Sequence, residues 1–238
     1  MLKIKNKLKD FKNLVRVVCN INTEVSFTFT PEYIYIRVVH PSNICMIIAT
    51  IKKDMFEEYN VEKEITYTLD SKYLMMSLDK IAKEELSIKV EIDGLRLLSE
   101  KHDFLLNYFV GKKDERPLPQ SELTTKWEIP SGYFLNLIGE MVEFSAVGMF
   151  KADEDLKLRV EAHLVKGDTL LDAKKISGVK SVSNYDMGYM IYISAIRHLF
   201  DTINFEFGNN TACYLTGKNE FIDFKWLLAC RVREEDES

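Results

Sequence analysis

Residues able to act on a ligand are few in this chain, and the most regular of them are basic. Over a predicted helix of about Lys7–Cys19, Lys9, Lys12 and Arg16 share one stripe, with Asn13 and Asn20 nearby, while Leu8, Phe11, Val15 and Val18 share another. A second predicted helix, about Ser71–Ile81, turns Leu74, Leu78 and Ile81 inward and gathers Lys72, Lys80 and Lys83 beside Met76. Cations at helical spacing suit phosphate contacts, which attract a nucleic acid without reading its bases and weaken with salt. One such stripe is what any solvated helix face carries; two in the same half of a chain make a shared cationic surface. No aromatic residues interleave with these lysines, so a stacking platform for single strands is not expected. The second half is poorer in charge. Its predicted helix Ser131–Glu143 exposes Asn136, Glu140 and Glu143 without a Lys or Arg, and the predicted helix Ser194–Ile203 offers Arg197 and His198, offset by Asp201.

Catalytic patterns are missing. The glycines form neither GxGxxG nor a P-loop, so no phosphate cradle is expected. His40, His102, His163 and His198 are far apart and match no metal-ligand spacing, and Asp153-Glu154-Asp155 reads as a turn between strands, not an acid/base pair. Cys19, Cys45, Cys213 and Cys230 include no CxxC pair, which fits buried thiols in a reducing cytoplasm (or nucleus, in a eukaryote). No cofactor and no metal are expected, and nothing favours an enzyme. An enzyme of mixed fold with a site assembled only in three dimensions remains the alternative.

The 238 residues allow one large domain or two small ones. No apolar run approaches the roughly 18 residues of a membrane span, and the charged start MLKIKNKLKDFKNL is unlike a secretory signal. The net charge of −5 argues against a generally basic nucleic-acid binder. Its distribution is uneven, however, with lysines crowded near the start and the acidic run REEDES at the end.

Period-two segments dominate. They predict strands at Glu24–Thr30, Tyr33–Val39, Ile44–Thr50, Ile65–Leu69, Leu86–Glu91, Leu95–Ser99 and Phe104–Val110. A second series includes Val147–Lys151, Leu156–His163, Thr169–Ala173, Gly178–Ser183, Met187–Ile193 and Phe221–Ala229. Each half runs from a helix through strands to a second helix and closing strands, and TYTLDSKYLMMSLDKI pairs in pattern with MIYISAIRHLFDTI. The expectation is an α+β chain of two duplicated domains: 1–110, an extended connector at 111–125 holding Leu118, and 126–238 with the acidic tail.

Several motifs, in order, resemble the proliferating cell nuclear antigen (PCNA) family of DNA sliding clamps, in archaeal style. Ile129-Pro130-Ser131-Gly132-Tyr133-Phe134 is similar to the opening of the family's second domain, and Met55-Phe56-Glu57-Glu58-Tyr59 to its Phe-x-x-Tyr element. Leu228-Ala229-Cys230-Arg231-Val232 is similar to its Leu-Ala-Pro-Lys-Ile ending, and Val39-His40-Pro41-Ser42-Asn43 to a loop that is acidic at the His40 position. The resemblance implies a DNA-clamp fold with β-sheets outside and four helices lining the hole of a ring, a subunit of a homo- or heterotrimer that encircles duplex DNA. It implies contacts from Lys9, Lys12, Arg16, Lys72, Lys80, Lys83 and Arg197, and a partner-peptide groove at Val39, Ile44, Met46, Leu118, Leu227 and Ala229. It also implies a subunit interface between His102–Val110, with Phe104, Leu106 and Tyr108, and about Ser177–Ser183, with Val179 and Val182. Clamp loader, DNA polymerase, flap nuclease and ligase would dock through short peptides, with no membrane involved. His40, Cys230 and the absence of basic residues from the third helix depart from the pattern and leave open a specialised or checkpoint-type paralogue within a heterotrimer.

Overall fold

The computed structural model describes residues 1–81, 85–91, 93–110, 118 and 120–231. Lys83, most of the connector and the acidic tail lie outside these. The chain divides into two compact units, 1–117 with 218–224, and 118–217 with 225–238.

In the first unit, β1 (Leu2–Ile4) leads into α1 (Leu8–Cys19), followed by β2 (Glu24–Phe29), β3 (Tyr33–Val39), β4 (Cys45–Lys52), β5 (Glu58–Tyr59) and β6 (Ile65–Asp70). Then come α2 (Ser71–Lys80), β7 (Leu86–Glu91), β8 (Gly94–Leu98), β9 (Asp103–Asn107) and β10 (Phe109–Val110). The second unit follows with β11 (Thr125–Pro130), α3 (Ser131–Met141), β12 (Val147–Ala152), β13 (Leu156–Ala162), β14 (Val165–Leu170), β15 (Lys174–Gly178) and β16 (Ser181–Asp186). It closes with α4 (Met187–Ile191), a 3-10 turn at Ser194–His198, β17 (Thr202–Phe207), β18 (Cys213–Lys218) and β19 (Ile222–Leu228).

The duplication holds strand by strand. The neighbours β5-β1-β7-β8-β9 of the first unit recur as β15-β11-β17-β18-β19, and β6-β2-β3-β4 recur as β16-β12-β13-β14. β10, added beside β6, stands outside the repeat. Alternation sets which face is buried: β3 runs exposed, buried, half-buried along Tyr33–Val39 with Ile34, Ile36 and Val38 inward. Hydroxyl pairs Ser26–Thr68 (2.8 Å) and Thr28–Thr66 (2.9 Å) join β2 to β6 on the opposite face.

One pairing of segments is corrected. The stretch Met187–Ile193, expected as a strand, begins α4, and the expected helix Ser194–Ile203 is a 3-10 turn that ends at His198, before β17. The partner of the β6–α2 junction is therefore the β16–α4 junction. Both turn on an aspartate: Asp70 accepts the Tyr73 N–H (3.1 Å) and Asp186 the Gly188 N–H (2.9 Å). Ser71, expected as a cap or first-turn residue, lies in the first turn and donates its hydroxyl to the Asn22 carbonyl (2.5 Å).

The cap is local and testable. Asp70→Ala should lower the urea midpoint of the chain by the equivalent of about 1 kcal/mol, and Asp70→Asn should recover most of it. An unchanged Asp70→Ala midpoint would show that α2 is held by packing alone.

Candidate nucleic-acid interface

Why α1 and α2 present cations follows from what they bury. Leu8, Phe11, Leu14, Val15, Val17 and Val18 of α1 are buried, as are Leu74 and Leu78 of α2, so the remaining faces must be polar. Asn13, expected near the basic stripe, is buried instead. Lys9, Lys72 and Lys80 are exposed, with the Lys72 ammonium 6.0 Å from the Tyr73 ring centroid. Tyr73 itself is exposed, so an aromatic does stand among the lysines.

Lys12 and Arg16 share the stripe but are engaged elsewhere. The Lys12 ammonium donates to the carbonyl of Ile81 (2.9 Å), the C-cap of α2, where a cation also meets the negative end of the helix dipole. Burial pushes the Lys12 pKa below its ordinary value; Asp79 opposes the shift and Arg16 adds to it. Arg16 pairs with Asp79 (2.9 Å), joining α1 to α2 at the surface and neutralising an acid that would otherwise weaken the cationic face.

In the second unit, α3 carries no Lys or Arg, and Asn136 and Glu140 are exposed on it. Arg197, in the 3-10 turn, is exposed and donates to Asn136 Oδ1 (3.0 Å) and His198 Nε2 (3.2 Å). Cations of the predicted DNA set are thus brought together in the first unit, with Arg197 alone in the second.

The predicted interface residues fare differently. β9 is an edge strand, and along it Leu106 is buried while Leu105 is exposed; Tyr108 packs edge-on against Tyr67 at 4.7 Å, within its own unit. Phe104 is half-buried against His102. Val179 and Val182 do not share a strand: Val179 lies between β15 and β16, and Val182 pairs with Lys151 of β12. The opposite edge of that four-stranded sheet is β14, where Val165 and Leu170 are exposed and Leu164, in the preceding turn, is 89% exposed. Sequence reasoning missed this edge, although Leu164-Val165 beside a Gly-containing polar strand was its visible sign.

Of the groove residues, Val39 and Met46 are register partners on β3 and β4, with Ile44 half-buried just before β4. The turn between them is held by His40, whose Nδ1 lies 2.6 Å from the Ser42 hydroxyl, and by Asn43 at φ 58°. Leu118 and Ala229 are exposed in the second unit, and Leu227 is buried there.

For the enzyme alternative, Asp153-Glu154-Asp155 is the β12–β13 turn, closed by the Asp153 N–H to the Asp155 carbonyl (3.0 Å). Among the described residues no cluster of His, Cys, Asp or Glu could hold a metal, and no helix is long and apolar enough to cross a membrane. A recess of about 480 Å³ lined by Lys5, Glu85, Ser87, Leu98, Ser99, Glu100 and Lys101 contains neither His nor Cys.

No family model matches the chain. A DNA polymerase sliding clamp of Archaeoglobus fulgidus is 24% identical over 245 residues, covering 94% of this chain and 96% of that protein. Two solved structures share the fold. The PCNA2–PCNA3 complex of Sulfolobus tokodaii has TM-score 0.85 at 22% identity, covering 97% of this chain and 98% of that one. The C-terminal region of FEN-1 bound to A. fulgidus PCNA has TM-score 0.87 at 20% identity, covering 98% and 100%.

The Lys12 brace predicts a split between stability and binding. Lys12→Met should cost about 1 kcal/mol by leaving the Ile81 carbonyl without its donor, while the salt dependence of any duplex binding stays that of the parent. A depressed folded pKa means that, between that value and the ordinary 10.5, the unfolded chain holds more proton at this site. Stability should therefore rise with pH in that window, and the rise should vanish in Lys12→Met. A melting series across alkaline pH checks the sign.

Proposed function

We propose that this chain, a sliding clamp of the PCNA type by fold and by its archaeal relatives, is one subunit of a three-membered ring. It holds DNA polymerase and repair enzymes on duplex DNA. The observation that supports this best is the duplicated fold, in which β9 ends a sheet of the first unit and β14 a sheet of the second. Unlike edges on one chain favour a head-to-tail contact, which closes into a ring when the rotation suits and pairs backbone groups that would otherwise invite aggregation. On this reading Leu105 of β9 and Val165 and Leu170 of β14 take the interface roles first expected of Leu106, Tyr108, Val179 and Val182.

The helices would then face duplex DNA. Lys9, Lys72 and Lys80 would attract phosphates without base readout, so the ring can move, and enclosure rather than affinity would keep it in place. Such a protein performs no chemical step and works in the compartment that holds the DNA, the cytoplasm of an archaeon. Partner peptides would dock on the groove of Val39, Ile44, Met46, Leu118, Leu227 and Ala229, in the manner suggested by the relative that carries the C-terminal region of FEN-1.

A second reading, a specialised subunit of a heterotrimer, is favoured by the lack of Lys and Arg in α3 and by the structural neighbour described as a complex of two different clamp proteins. Light scattering of the full chain, alone and mixed with clamp paralogues, tests both. A trimer mass with the chain alone supports the homomeric ring, and one only in the mixture supports the specialised subunit. Leu170→Asp should release monomers whose circular dichroism is unchanged. A monomer under every condition would overturn the ring.

A further inference from the structure

The outer face of α2 is not purely cationic. Tyr73 and Met76 stand one turn apart on it, 59% and 53% exposed, between Lys72 and Lys80. Single exposed apolar side chains are common, but here two stand together among cations. Counted from the capping aspartate, Tyr73 and Met76 of α2 correspond to Tyr189 and Tyr192 at α4, which meet edge-on at 5.7 Å. Those two rings are half-buried, Tyr192 is the C-cap beyond α4, and the flanking lysines of α2 have no counterpart there, so the exposed pair belongs to the first unit.

The surroundings indicate what could cover the pair. Lys72 leans over the Tyr73 ring, Lys80 lies one turn beyond Met76, and Asp79 is already paired with Arg16. The face left to a ligand is cationic with an apolar centre, and it suits a polyanion that also exposes apolar edges. The sugar–phosphate backbone of duplex DNA has that composition at every nucleotide, whatever the base.

We propose that Tyr73 with Met76 is an apolar pad that lies against the deoxyribose edge of the duplex, between the phosphates engaged by the cations. The proposal rests on the clamp reading and deepens it. The pad supplies a contact that salt does not screen. A wholly electrostatic hold would be lost at high ionic strength, whereas this one weakens less.

The test is fluorescence anisotropy of a labelled linear duplex titrated with the full chain across a range of salt. Tyr73→Ala with Met76→Ala should weaken binding about fivefold at every salt, on the scale of apolar contact area, with the slope of log K against log salt unchanged. Lys9→Ala, Lys72→Ala and Lys80→Ala should instead flatten that slope by about 0.9 for each lysine that touches a phosphate. Tyr73→Phe should restore binding, since it keeps the ring, and melting temperatures verify that all variants are folded. Unchanged affinity in the pad variant, or a flattened slope like that of the lysine variants, would overturn the pad while leaving the lysine effect intact. A chain that stays monomeric under every light-scattering condition above would overturn the clamp reading beneath it.

Discussion

One burial constraint governs the first unit. Phe11 and Val15 of α1 and Leu74 and Leu78 of α2 meet Phe27, Phe29, Ile34, Leu69, Ile88, Leu95 and Leu97 of the strands in a single apolar core. Burying each such side chain is worth roughly 1.5–3 kcal/mol, far more than any surface ion pair supplies. The helices thus have no choice about which face they turn inward. The cations are left together on the outside as a consequence, and the brace from Lys12 to Ile81 and from Arg16 to Asp79 only trims the angle between helices already committed to the core. The second unit solves the same problem with rings. Phe134, Phe150, Tyr185, Phe205 and Phe207 interlock at centroid distances of 4.9–6.4 Å, and Ser131 ties α3 to the Phe200 carbonyl.

Much of this was legible because period carries it. α1 and α3 start and stop within two residues of their expected bounds, because their apolar residues repeat at helical spacing against polar neighbours. α4 was not legible, for a physical reason. Met187, Met190, Ile193 and Ile196 are all buried around a short helix and a 3-10 turn, so no polar face marks the period and the run imitates a buried strand. Its signal was the aspartate before it. Asp186 stands to Met187 as Asp70 stands to Ser71, and matching these two caps aligns the two halves.

The site was legible only in its residue types. A helical wheel puts Lys9, Lys12 and Arg16 on one stripe, but it cannot say that Lys12 and Arg16 are reached by α2 and Lys9 is not. Edge strands are likewise a tertiary property. Alternation along β9 gives two equally regular faces, and choosing Leu106 over Leu105 meant guessing which faced the core. β14 overlaps the predicted strand Thr169–Ala173 only at Thr169 and Leu170 and is largely polar, yet an edge joins through its backbone, and side chains need only not obstruct it.

The balance of charge suits a loose hold. With a net charge of −5, the chain as a whole repels DNA, so on the clamp reading attraction falls to the cations exposed on α1 and α2. A uniformly basic surface would bind phosphates from any side and would bind them strongly enough to stop. On the clamp reading, exposing Lys9 on α1 and Lys72 and Lys80 on α2, while Arg16 pairs with Asp79 and Lys12 with a helix end, keeps the number of phosphate contacts per chain small. Because salt-dependent affinity scales with that number, a small number means frequent release, and a subunit that releases often must rely on being closed around what it holds. On that reading the edges at β9 and β14 and the sparse lysines belong to one solution: the weaker the grip of each face, the more the function depends on the strands that complete the enclosure.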